Sequence, residues 1–172
     1  DYDAAIIGCY FDPGIRAARE LVDIPVIGPG ESSMHLALMV GDDFSIITVL
    51  ERDIPIQKSI LRKMSISHLC KSVRSVGIPV QELSKDHEKS LKALEKTIKF
   101  IEEDDKASTV ILGCMSEAFL LADEEIDSKI PIINPAKSSL RTAELFVNMN
   151  LKHSLISYPK PNMEKLKKAG LI

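Results

Sequence analysis

Tryptophan is absent from the 172 residues, and aromatic residues make up only 5% of them. Cysteine is scarce as well, with three copies at Cys9, Cys70 and Cys114 and no CxxC pair. An odd, scattered set of thiols argues against a disulfide framework and against a zinc site built on paired cysteines. Four histidines leave little material for a metal centre of that kind either. Positive charge is not in excess: 22 Lys and Arg stand against 25 Asp and Glu, a formal net charge of −3. Nothing therefore supplies the basic face that nucleic acid requires. Apolar runs such as Ser45–Leu50 are far too short to cross a bilayer. With no secretory apolar segment near the start, the chain is expected in the cytoplasm. Its expected partner is a small molecule, not nucleic acid or membrane, and a homo-oligomer is expected. No metal and no cofactor are expected.

What the sequence does contain is ordinary globular material, 45% apolar and 27% charged, enough for one domain or two small ones. Short β-branched runs alternate with helical patterns. Strands are expected at Ala4–Ile7, Val26–Ile27, Ser45–Val49, Leu69–Val73, Val110–Leu112 and Ile132–Ile133. Most are continuously apolar, as parallel strands covered on both faces should be. Helices are expected over Pro13–Leu21, Glu31–Met39, Pro55–Met64, Asp86–Glu103, Glu117–Ile126 and Ser138–Met149. In the fourth, Leu91, Leu94, Ile98 and Ile101 recur at helical spacing. Lys165, Lys167 and Lys168 read as the wet face of a terminal helix. Alternation of this kind implies an α/β fold with parallel sheets and right-handed crossovers. The apolar run at Ala4 follows Asp1 so closely that an amino-terminal strand is expected to be missing from the chain.

The most informative feature is an internal repeat. Ala4–Cys9 is similar to Thr109–Cys114, Ile24–Ile27 to Ile130–Ile133, and Ser32, Ser33 and Ala37 to Ser138, Ser139 and Ala143. The offset is 105 at the cysteines and 106 from the prolines onward. Two copies of a strand–Gly–Cys–helix–Pro–strand–helix unit imply two pseudo-symmetric lobes facing a shared cleft. Residues 1–40 with 136–172 would form the first lobe, and 41–135 the second. Each lobe offers one cysteine at the carboxyl end of a strand, where open α/β sheets build their sites.

A lone cysteine at a strand end is usually a small core residue, and Cys70 is read that way. The repeat separates Cys9 and Cys114 from that reading. Asp12-Pro13 is expected to cap a helix after Cys9, and Ser116 to do so after Cys114, with Glu117 in the first turn. Amides at a helix start favour thiolate and can hold a carboxylate or enolate oxygen. Two such thiols across one cleft suit proton removal on one face of a carbon and delivery on the other. His35 and His68 are read as surface or satisfied histidines. Glu51–Asp53 reads as a solvated loop, although Thr48 ends a central strand and is a candidate ligand contact. Gly28-Pro29-Gly30 matches neither a GxGxxG fingerprint nor a P-loop.

The stretch Gly8–Leu21 with Val22–Gly28, together with Thr48–Arg52, Pro55, Ser72–Arg74, Ile78–Val80 and Ile111–Cys114, resembles the aspartate/glutamate racemase superfamily, most closely its hydantoin racemase branch. The resemblance runs from about Asp3 to Met149. It implies two flavodoxin-like α/β lobes and cofactor-independent racemisation by Cys9 and Cys114. It further implies backbone N–H groups holding the substrate around Tyr10, Phe11, Met115 and Ser116. The family usually opens with a further strand and an Ile-Asn-Pro-Asn-like loop, and it follows its second cysteine with Ala-Gly-Met-Ala. Here that place holds Met115-Ser116-Glu117-Ala118. Related readings are a decarboxylase or a cis-trans isomerase of the same superfamily, or a non-catalytic ligand-binding module.

Overall fold

A computed structural model of the chain describes residues 2–122 and 124–170. Asp1, Asp123, Leu171 and Ile172 lie outside the described residues; the expected lobes include them, and the helix expected over Glu117–Ile126 spans one of them. Among the described residues, six parallel strands fall into two sheets. Strands β1 (Ala5–Ile6) and β2 (Val26–Ile27) pair with each other, Ala5 opposite Val26. Strands β3 (Phe44–Thr48), β4 (Cys70–Ser75), β5 (Val110–Leu112) and β6 (Ile132–Ile133) form the second sheet in the order β4-β3-β5-β6.

β3 and β5 are buried throughout because both faces of their sheet are covered. Phe44, Ile46 and Ile111 pack with Met34 and Leu61 on one side; Ile47, Val110 and Leu112 pack with Leu94 and Ile98 on the other. The outer strands depart from the expected two-sided burial. Ile6 in β1 is exposed, and β4 is only half-buried along most of its length, since each lies at a sheet edge.

The helices are α1 (Ile15–Leu21), α2 (Pro29–Val40), α3 (Ile54–Lys63), α4 (Val80–Leu83), α5 (His87–Phe100), α6 (Met115–Leu120), α7 (Pro135–Asn148) and α8 (Met163–Lys168). Asp86 caps α5 by accepting the Lys89 N–H at 3.0 Å, and beyond Phe100 the helix widens into a π-turn over Ile101–Asp105. Proline fills the first position of both α2 and α7, where its missing N–H costs nothing. These two helices pack together, and buried Ser33 and Ser138 hydroxyls meet at 2.9 Å between them. The helix expected over Glu117–Ile126 is shorter than its pattern: it starts at Met115 and ends at Leu120. α4 was not expected from periodicity, being a single turn after Pro79.

After α7 the chain returns to the first sheet. His153 Nε2 accepts the Val26 N–H at 2.8 Å, while Arg19 donates to the Val26 carbonyl at 3.0 and 2.9 Å. The Tyr158 ring lies 5.4 Å from the guanidinium carbons of both Arg16 and Arg19. Among the described residues, no helix is long and apolar enough to cross a membrane.

Candidate active site

Cys9 lies just beyond β1, in a run of turns and not at a helix start. Asp12 takes a left-handed φ of 50°, and α1 begins only at Ile15, with Gly14 as its cap. Asp12 was expected to cap that helix; its carboxylate caps α2 instead, accepting the Gly30 and Glu31 N–H groups at 3.0 and 2.8 Å. The reason is visible at Gly28, which precedes α2 and has no side chain to cap with. A β-carbon there would stand 2.5 Å from the Asp12 carboxyl, so glycine leaves room for a cap supplied from elsewhere. Burial pushes the Asp12 carboxyl up to about 6, overcoming the two amides that favour its charge.

Cys114 stands two residues past the end of β5 and is itself the N-cap residue of α6, a place expected for Ser116. Gly113 before it is close-packed: a β-carbon would sit 2.4 Å from the Ile47 carbonyl oxygen. The amides of Ser116 and Glu117 face the Cys114 sulfur, as expected near a helix start, yet its pKa is not lowered. Burial, then the nearby Glu117 carboxyl, push the thiol above its ordinary value.

Both thiols line one cleft of about 440 Å³, walled by the segments that follow β1, β3 and β5, a volume suited to a small-molecule ligand. Tyr10, Phe11, Thr48, Met115 and Ser116 border the same cleft. The Tyr10 ring packs into the core, 6.5 Å edge-to-face from Phe11. Arg52 and Asp53, expected in a solvated loop, also line the cleft, as does Gln81, which no sequence pattern singles out. The signal for the first two was present: they follow the carboxyl end of the central strand β3, where α/β sheets place their ligands. Asp53 is held in place by the Leu50 N–H at 3.2 Å.

Cys70 is elsewhere, at the start of β4. Its S–H donates to the Ser72 carbonyl at 3.2 Å, and burial pushes it up to about 12, so it stays a thiol at neutral pH. Among the described residues, no group of three His, Cys, Asp or Glu side chains is placed to hold a metal ion.

Residues 1–143 match the family profile described as Asp/Glu/Hydantoin racemase. The chain belongs to that family. With it the chain joins the racemases among the isomerases. A hydantoin racemase of Pseudomonas sp. (strain NS671) is 31% identical over 164 residues, which cover 95% of this chain and 66% of that protein. A hydantoin racemase of Rhizobium meliloti is 29% identical, covering 92% of this chain and 67% of its own length. The solved allantoin racemase from Klebsiella pneumoniae superposes with a TM-score of 0.82 at 28% identity, over 93% of this chain and 66% of that one. This racemase-family chain thus spans about two thirds of the length of the relatives it matches.

Proposed function

We propose that the chain carries the two proton-transferring thiols of a cofactor-independent racemase acting on a hydantoin or amino acid. The observation that carries this reading is the placement of Cys9 and Cys114 on one cleft, each from a different sheet. One thiolate would take the hydrogen from the α-carbon, leaving the electron pair of that C–H bond delocalised as an enolate. The opposite thiol would then return a proton to the other face, so the centre inverts and the two sulfurs exchange protonation states. Amides around Tyr10, Phe11, Met115 and Ser116 are the proposed holders of the enolate oxygen. A five-membered ring with flanking carbonyls suits both the cleft's size and the acidity this chemistry needs. The proposed lobes remain residues 1–40 with 136–172, and 41–135. The test is incubation with single hydantoin and amino-acid enantiomers in heavy water. A racemase incorporates deuterium at the α-carbon while optical rotation decays; rotation held constant with no exchange across the panel would overturn the reading.

A further inference from the structure

Behind the two thiols the protein buries polar groups that lack bonding partners. Glu117 is fully buried, and its carboxyl oxygens complete no hydrogen bond of good geometry, although the Gly113 and Cys114 amides lie near enough to favour its charge. Gln57, from α3, is equally buried with both its amide nitrogen and its oxygen unbonded. Tyr10 Oη is unbonded as well. Interiors pair most buried polar side chains, so three such residues together call for a reason. They converge on the strand end that carries Cys114. The Gln57 amide nitrogen would lie 3.2 Å from a β-carbon at Gly113, and Glu117 sits against the amides of Gly113 and Cys114. Tyr10, the neighbour of Cys9, lies close enough to feel the Glu117 charge.

A buried carboxylate is tolerated beside a cation, and among the described residues none pairs with Glu117. The titratable groups that reach it are Cys114 on its own segment, Tyr10 from the turns after β1, and Asp53 from the turn after β3. All three are neutral or negative. Two adjacent acids in one desolvated place do not ionise independently; their titrations couple, and the second charge is opposed by the first.

We propose that Glu117 is a positioning residue for Cys114, the two groups sharing one negative charge, so that Cys114 acts as a base only while Glu117 keeps its proton. This rests on reading Cys114 as one of the two proton-transferring thiols. When Cys114 takes the substrate proton, the C–H electron pair stays on the substrate and the sulfur becomes neutral, while the Glu117 proton stays where it is. Burial raises the Glu117 carboxyl well above the usual carboxylate range, in keeping with that role.

The test is the pH dependence of iodoacetamide alkylation at each cysteine of the full chain, followed by peptide mass between about pH 6 and about pH 10. Glu117→Gln keeps the shape and removes the ionisation. The Cys114 midpoint should fall by about one unit, with its alkylation near neutral pH rising roughly three- to tenfold. Cys9 should alkylate as before. Glu117→Met fills the same volume without polar atoms, and should give the same shift if the Gln variant fails to fold. An unchanged Cys114 midpoint in a folded variant overturns the proposal, and so does an equal shift at Cys9. Alkylation needs no substrate, so a negative result here leaves the racemase reading standing. Conversely, a chain that racemises nothing can still show the shift.

Discussion

After Cys9 the chain passes through turns, with Asp12 at a φ of 50°, and reaches α1 only at Ile15; after Cys114 it enters α6 at the next residue. The strands before them differ as much. β1 is the edge of a two-stranded sheet with Ile6 exposed, whereas β5 lies between β3 and β6 and is wholly buried. Their matching glycines differ too: a β-carbon at Gly8 would meet nothing within 4 Å, while one at Gly113 would collide with backbone. Even the following helices are capped differently, α7 by its own Asn134 and α2 by Asp12 from the Cys9 segment. The repeat thus keeps the sulfurs on one cleft but not the way each is supported. Cys9 is tethered through a neighbouring helix, whereas Cys114 follows a wholly buried strand and packs against the small cluster of Val49, Ile78 and Leu83.

The largest effect should come from breaking the pair itself. Cys9→Ser and Cys114→Ser should each lower racemisation by about 10²- to 10⁴-fold, because a serine hydroxyl is too weak a base at neutral pH. Each remaining thiol should still exchange deuterium into one enantiomer, with opposite preference in the two variants; the same preference in both would break the assignment of opposed bases. Cys70→Ser should match the unmodified chain in both assays.

Next in size is the contrast between glycines. Gly113→Ala should cost about 1–3 kcal/mol in urea denaturation through overpacking against Ile47, while Gly8→Ala should stay within about 0.5 kcal/mol. Equal costs would mean that the two strand ends are supported alike.

The smallest effects belong to the caps. Asp12→Ala and Asn134→Ala should each cost about 0.5–2 kcal/mol, but only the first should also slow exchange at Cys9, since it frees that segment from α2. Asp12 carries a pH signature as well. Its folded carboxyl titrates at about 6 against an ordinary value of 3.8. The folded chain therefore binds this proton more tightly than the unfolded one. The stability it brings is full below about pH 4 and is lost as pH rises through 6. Asp12→Asn should remove that slope from a series of melts, and a slope that survives would place its origin in another group.

The sheet strands were legible because buried parallel strands leave short apolar runs that little else produces. Val26–Ile27, Val110–Leu112 and Ile132–Ile133 have the expected bounds, and β3 and β4 lie within two residues of theirs. The joining of Cys9 and Cys114 in one cleft was foreshadowed by the repeat, a signal carried by residues 105 apart. What escaped were contacts whose partners are remote or whose pattern is ambiguous. Asp12 before Pro13 has the local form of an N-cap, and only the folded chain brings Gly30 and Glu31 within its reach. Glu117 looks like an ordinary acid in a first helical turn, and its burial depends on what packs over it. Arg52 and Asp53 were discounted as solvated polar residues, although they follow the central strand's carboxyl end.

The backbone of Val26 has its N–H taken by the His153 ring and its carbonyl taken by Arg19, with Tyr158 stacked behind. An open strand edge is a template on which a second polypeptide can pair and begin to aggregate. At β2 that template is already occupied by side chains. An incoming strand would have to displace an imidazole and a guanidinium before making its first ladder bond. A lesion that frees His153 or Arg19 would expose that edge of the small sheet to pairing.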